Sequence, residues 1–348
     1  MEFVGTVVKL DRGFPLVRLQ DDDLDESGLT TSDSQSTGVA AADSTCVVEV
    51  RCEHATSLVK GRRMRATVGD KVRISMPSTH DKGIIEEILP RKTQFVRRDP
   101  AERTAGQVLA ANFHLVMVVE PIVQLNLKRL ERELVLAHET GAPVAVVLTK
   151  KDLAPNEAAG TVADVSALAG SSVPVLATSL TDEASLQRVR SLVAPGETAI
   201  LIGKSGVGKS SLVNALVGHE VQDTAHVRER DGKGRHTTVD RVMIDLPGGG
   251  SLVDMPGVRG LGLWEADQGL GAAFADVEEL AQACRFRDCS HHGEPGCAVR
   301  EAVESGQLAQ ARLDSYHSLA AEIAQVRTRR EEASRLRGEK ASDRRKRR

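Results

Sequence analysis

Apolar and polar residues alternate along the first hundred positions of the chain, and then the period changes. Val4, Thr6, Val8 and Leu10 alternate, Asp11-Arg12-Gly13 reads as a turn, and Leu16-Val17-Arg18-Leu19 returns. Cys46, Val48, Val50 and Cys52 share one strand face, Val72, Ile74 and Met76 form a further strand, and residues 84–89 a last one. Short strands with no helix between them predict a small all-β barrel, most simply an OB-fold, over residues 1–103. The parity of Cys46 and Cys52 with valines favours buried small hydrophobes over ligands. Residues 21–45, nearly all Asp, Ser, Thr, Ala and Gly, have too little apolar area to bury and predict a mobile insert.

From residue 104 to 262 apolar strands alternate with amphipathic helices, which predicts a parallel sheet with crossovers. Residues 114–119, 144–148, 173–177, 198–202, 241–246 and 251–254 read as strands, and Leu127, Leu130, Leu134 and Ala137 line one helix face. Residues 263–348 read as a helical unit. Phe274, Val277, Leu280 and Ala281 mark a helix over 270–283, and Leu308, Leu313, Tyr316, Leu319 and Ile323 mark a long one that ends in a basic tail from Arg327.

Composition narrows the setting. With 348 residues the chain has room for two or three cores, and a net charge of −3 makes no global case for nucleic acid, so any basic surface is local. No apolar run spans a bilayer, and Met1-Glu2-Phe3-Val4 does not open an export signal, so no membrane partner is expected. Five cysteines, three of them close together, fit a reducing cytoplasm and a metal site better than a disulfide framework, and a monomer is expected. Lys60, Arg62, Arg63, Arg65, Lys71, Arg73, Arg91, Lys92, Arg97 and Arg98 would suit an RNA backbone on a barrel surface, with Phe95 as the clearest stacking candidate.

The chemistry concentrates in short motifs. Gly203-Lys204-Ser205-Gly206-Val207-Gly208-Lys209-Ser210 fits the phosphate-loop pattern G-x-x-x-x-G-K-[ST], with a strand before it and a helix opening at Ser211. Its glycines let backbone N–H groups close on an anion, Lys209 would reach the outer phosphates, and the Ser210 hydroxyl would bind Mg²⁺. Thr149-Lys150-Lys151-Asp152 resembles the guanine-specificity motif N-K-x-D of GTPases. There the Asp152 carboxylate would accept from guanine N1–H and its amine, the Lys150 stem would pack along the base, and Thr149, in place of Asn, would brace the next loop. Thr178-Ser179-Leu180 resembles the S-A-[KL] loop, whose backbone N–H meets guanine O6.

Gly234-Arg235-His236-Thr237-Thr238 resembles switch I, with a threonine (Thr238) completing the Mg²⁺ shell, and Asp254-Met255-Pro256-Gly257 matches D-x-x-G of switch II. Asp254 would hold Mg²⁺ through water and the Gly257 N–H would sense the γ-phosphate. Val258 stands where many GTPases carry a water-orienting Gln, which predicts slow unaided hydrolysis; His236 is the nearest candidate for that role. Lys209, His236, Thr238 and Gly257 are thus the catalytic candidates. Cys284-x4-Cys289-x-His291-x5-Cys297 supplies three thiolates and an imidazole, a closed tetrahedral set for one structural Zn²⁺, with His292 as an alternative donor.

The base-binding motifs precede the phosphate-binding ones, the reverse of an ordinary GTPase. This order, with G-K-S-G-V-G-K-S-S-L-V-N, G-R-H-T-T and D-M-P-G, resembles the circularly permuted bacterial GTPases of the RsgA or YjeQ family, ribosome small-subunit-dependent GTPase A, over nearly the whole chain. The resemblance implies a circularly permuted α/β P-loop GTPase between the OB barrel and the zinc unit, with His291 favoured over His292 as ligand. It also implies a GTP hydrolase, releasing GDP, that assists late assembly or maturation of the small ribosomal subunit. The subunit would stimulate hydrolysis, the barrel and the basic tail would touch its rRNA, and hydrolysis would release the factor. Two rivals stand beside it: a GTP-gated RNA-binding protein with incidental turnover, and an ATP-dependent kinase or ATPase.

Overall fold

The computed structural model describes residues 1–11, 14–19, 47–62, 64–77, 82–97, 106–221, 241–255, 263 and 266–346. The insert 21–45, Cys46, the stretch 234–238 with His236, Thr237 and Thr238, and Pro256, Gly257 and Val258 lie outside the described residues.

The first strands close into a barrel. Strands β1 (Glu2–Asp11), β2 (Phe14–Leu19), β3 (Glu49–His54), β4 (Lys71–Ser75) and β5 (Gly83–Ile88) run in the order β1-β2-β3-β5-β4, and β4 pairs back onto β1. Pairing is antiparallel except between β3 and β5, the arrangement of an OB-fold. The face of β1 differs from the simple alternation: Phe3 and Val7 enter the core and Val4 does not, while a bulge between Val7 and Lys9 turns Val8 inward as well. Cys52 is fully buried and burial pushes its thiol pKa up to about 12, so it packs as a small apolar residue.

A hairpin that the alternation did not reveal follows, with β6 (Gln94–Arg97) and β7 (Gln107–Ala111) on either side of residue 103. It packs Phe95 into the core, so the ring expected to stack on RNA bases is not available at the surface. The basic residues also divide. Arg91 is tied to the buried Asp70 at 2.6 Å and Arg73 to Glu87 at 3.3 Å, whereas Lys60, Arg65, Lys71, Lys92 and Arg97 are exposed.

The central sheet contains β8 (Leu115–Pro121), β9 (Val144–Thr149), β10 (Val175–Ala177), β11 (Thr198–Ile202), β12 (Met243–Asp245) and β13 (Ser251–Asp254). Their order is β10-β9-β8-β11-β13-β12, parallel except for the edge strand β12. Neighbouring residues feed opposite cores: Val116, Val118, Val146 and Ile200 face one, and Met117, Val119, Val147 and Leu201 the other. A strand buried on both faces must be apolar throughout, which is why these segments read as continuous runs. Helices α1 (Leu127–His138) and α2 (Ala158–Ala169) cover the first face; α3 (Glu183–Arg190) and α4 (Lys209–Val217) cover the second.

The C-terminal unit shares the first core. The helix expected over 270–283 is two short ones, α5 (Asp267–Ala273) and α6 (Ala275–Ala281), broken at the fully buried Phe274. Next come α7 (Ala298–Glu304) and α8 (Gln310–Lys346), so the basic stretch from Arg327 continues the helix through Lys346 rather than forming a separate tail. Phe274, Val277, Val299 and Leu313 join the same apolar cluster as Leu130 and Val146. At the crossing of α1 and α5 only glycine fits at 269, because a Cβ there would lie 2.2 Å from the Val135 carbonyl oxygen. Arg312 of α8 locks the junction, donating to Glu131 of α1 at 2.9 Å and lying 3.9 Å from the Phe274 ring centre. Among the described residues no helix is long and apolar enough to cross a membrane.

Candidate nucleotide site and metal centre

The sheet explains how motifs in rotated order can share one crevice. Thr149 ends β9, Thr178 follows β10, Gly203 follows β11, Asp254 ends β13, and Glu120 lies near the end of β8. All of these are carboxyl ends of parallel strands, so they open on one edge of the sheet whatever order the chain visits them in. The crevice centres on β8 and β11, which are neighbours in the sheet although β9 and β10 lie between them in the chain.

The phosphate loop wraps tightly there. Gly203 has a φ of +146° and passes so close to β8 that a Cβ would sit 2.3 Å from the Val119 carbonyl oxygen. Lys209 is buried, and its Nζ donates to the loop's own carbonyl oxygens, Gly203 at 2.8 Å and Lys204 at 3.3 Å. These bonds hold the ammonium where phosphate oxygens can replace the carbonyls. Burial lowers the Lys209 pKa, against the opposing pull of Asp254, Glu133 and Glu120. Ser210 Oγ lies 3.4 Å from Asp254 Oδ2, and a hydroxyl beside a carboxylate is a donor set suited to a hard cation such as Mg²⁺.

The base-side loops reach this loop directly. Thr149 Oγ1 donates to the Val207 carbonyl oxygen at 2.7 Å, the brace expected of it, and lies 3.4 Å from the Glu120 carbonyl oxygen. Lys150, at a left-handed φ of +61°, extends Nζ to the Gly206 carbonyl oxygen at 3.4 Å. The Lys151 N–H donates to the Thr178 carbonyl oxygen at 3.1 Å and its Nζ pairs with Asp182, which joins the two base-side loops. Lys151 is the main reason the Asp182 carboxyl is held below its ordinary range. Thr178 and Ser179 are buried, with the Ser179 N–H donating to Ser185 Oγ at 3.3 Å, and Leu180 and Asp152 are exposed.

Three charged residues that no motif contains lie at the end of β8 and on α1. Glu120 is fully buried, and Arg129 of α1 clasps both its oxygens, Nε to Oε1 at 2.6 Å. Glu133, one turn further along α1, is also buried, and burial raises its pKa to about 8, with Glu120 adding to the shift. The available sequence signal was slight: one carboxylate ending an apolar strand, and a charged pair at i, i+4 beside an apolar helix face.

The four candidate metal ligands come together in space. The donor atoms of Cys284, Cys289, His291 and Cys297 all lie within 4.8 Å of one another. The Cys284 and Cys297 sulfurs are 4.0 Å apart, and His291 Nδ1 is 3.7 Å and 3.4 Å from them. A regular tetrahedron with zinc bond lengths has edges of about 3.8 Å between sulfurs and about 3.6 Å from sulfur to nitrogen, so the donor set fits Zn²⁺. His291 is buried among the thiols, while His292 is exposed and stacks on His317 at 4.0 Å. Glu294 organises the loop around them. It accepts from the backbone N–H groups of Ser290, His292 and Gly293 and from the Ser290 hydroxyl, which hold its carboxyl far below the usual range.

Residues 88–264 match the family model described as RsgA GTPase. A protein named small ribosomal subunit biogenesis GTPase RsgA from Streptomyces coelicolor is 49% identical over 238 residues, 68% of this chain and 64% of its own length. The chain thus spans just under two thirds of that relative. A protein of the same name from Methanosarcina acetivorans is 41% identical over 258 residues, 74% of this chain and 69% of its own. Among solved structures, YjeQ from Thermotoga maritima superposes with a TM-score of 0.65 at 24% identity, over 93% of this chain and 99% of that one. YloQ, described as a circularly permuted GTPase, gives 0.63 at 24% identity, over 93% and 96%. These two establish likeness of fold.

Proposed function

The chain belongs to the RsgA GTPase family, and from that premise we propose that it hydrolyses GTP as a monomeric cytoplasmic factor in late assembly or maturation of the small ribosomal subunit. One observation supports the reading above the others: the Thr149 hydroxyl lies 2.7 Å from the Val207 carbonyl oxygen, so the guanine-type motif and the phosphate loop are in contact. Lys209 exchanges its carbonyl partners for the outer phosphate oxygens, and the loop N–H groups close on the rest. Asp152 accepts from the guanine edge, and an adenine in its place would leave the carboxylate unpaired. Ser210 and Asp254, together with Thr238, would hold Mg²⁺, whose charge would offset that developing on the phosphates. The Gly257 N–H senses the γ-phosphate and His236 orients the attacking water.

Val258 offers water no hydrogen bond, so the unaided rate is low and the ribosomal subunit completes the site. The exposed Lys60, Arg65, Lys71, Lys92 and Arg97 of the barrel region, with the basic end of α8, supply contacts to the rRNA backbone. Hydrolysis then weakens docking and frees the factor. The test is GTP turnover titrated with purified small subunits, where acceleration of about tenfold or more is expected. GTP-dependent binding to subunits with no acceleration would favour the RNA-binding rival. Asp152→Ala should cost GTP about a hundredfold in affinity and ATP little; equal starting affinities for GTP and ATP would remove the GTPase reading.

A further inference from the structure

The two base-side loops come from different strand ends, and a single ion pair spans the gap between them. Asp152 lies in a tight turn, Lys151–Leu153, whose first residue is held twice. The Lys151 N–H donates to the Thr178 carbonyl oxygen at 3.1 Å, and Lys151 Nζ reaches Asp182 Oδ2, also at 3.1 Å.

Asp182 is in turn the residue to which the second loop is fastened. Its N–H donates to the Ser179 carbonyl oxygen at 3.2 Å. Its Oδ1 accepts the Ser185 N–H at 3.1 Å, capping α3, and its carbonyl oxygen takes the Ser185 hydroxyl proton at 2.7 Å. With that one proton committed, Ser185 Oγ accepts from Thr178 Oγ1 at 3.0 Å and from the Ser179 N–H at 3.3 Å. Ser185 is 1% exposed, so these bonds are sheltered from water. Lys151 therefore grips the whole of the second loop by gripping Asp182.

We propose that Lys151 and Asp182 are a positioning pair that sets the spacing of the two base-side loops and so sharpens the selection of guanine. The proposal rests on the function proposed above, in which a guanine lies between these loops. Such a base meets both at once, its N1–H and amine at Asp152 and its O6 at a backbone N–H of residues 178–180. Spacing fixed in advance reduces the ordering that binding requires. Each side chain of the pair is 35% exposed, so it is a salt-sensitive latch, and its removal loosens the loops without unfolding them.

The experiment is titration of the full chain with GDP and with 2-aminopurine riboside diphosphate. The analogue lacks O6 and the N1 proton, so it meets the Asp152 loop alone, through its amine. The variants are Asp182→Asn, which keeps an oxygen to cap α3 but loses the charge, and Lys151→Met, which keeps the backbone bond to Thr178. Each should weaken GDP about threefold and the analogue by less, and the two combined should do no more than either. Lys151→Arg should keep the GDP affinity of the unaltered chain, and about 0.5 M salt should narrow the gap between that chain and the two variants. Unchanged GDP affinity or additive losses would overturn the proposal. So would equal losses for GDP and the analogue, which mark damage to the loops rather than to the reading of the base. Should Asp182→Asn not fold, Lys151→Met decides alone by the same comparison. GDP binding that ignores both variants removes only the latch, whereas an unaltered chain that binds no GDP removes the functional reading itself.

Discussion

The candidate metal centre and the candidate nucleotide pocket bring together chemistry of similar density by opposite routes. All four donors of the metal centre fall between residues 284 and 297, and the carboxylate that shapes their loop, Glu294, takes its bonds from residues at most four positions away. The pocket joins Thr149 to Val207 across 58 residues and Lys150 to Gly206 across 56, while Lys209 Nζ bonds the loop's own Gly203 and Lys204 carbonyl oxygens. A centre built from one short loop depends on its ion and its turn. A pocket built from five strand ends depends on the whole sheet. The two should therefore fail differently.

The sharpest separation comes from Cys297→Ser. It removes a buried donor, and zinc content measured on the purified protein should fall from one per chain to near none, a structural zinc being worth about 10 kcal/mol or more. Hydrogen exchange should then rise across residues 284–297, while GDP affinity shifts by less than about threefold, because the strand ends around the pocket are untouched. A collapse of nucleotide binding would break the comparison and show that the core shared through Phe274 and Val299 carries the coupling. Glu294→Gln is next in size: an amide cannot accept from all those N–H groups, so zinc loss to a chelator should accelerate about tenfold with nucleotide binding unmoved. Smallest is Thr149→Val, which leaves the Val207 carbonyl oxygen without its donor. GDP affinity should weaken about fivefold, and zinc retention should not respond.

Much of this was legible in one dimension, for reasons that differ by element. The strands of the central sheet declare themselves because burial on both faces forces continuous apolar runs, and β9 and β11 fall where those runs do. The phosphate-loop pattern and the clustered Cys and His donors are readable because such geometry requires particular residues at fixed spacing within a short stretch of chain. The face of β1 was not, since a single extra residue at the bulge turns the alternation over. Nor was Phe95, whose aromatic character suits a base or a core equally until the hairpin of β6 and β7 buries it.

What the sequence determined by itself was the set of chemical groups and the order in which the chain presents them, because both rest on residue identity and local spacing. Only the tertiary structure decided which groups meet. Parallel pairing of β8 with β9 and β11 carries Glu120, Thr149 and Gly203 to one edge, and the packing of α1 brings Arg129 onto Glu120. A buried charge acquires its role from neighbours far away in the chain, and no local pattern records which neighbours those are.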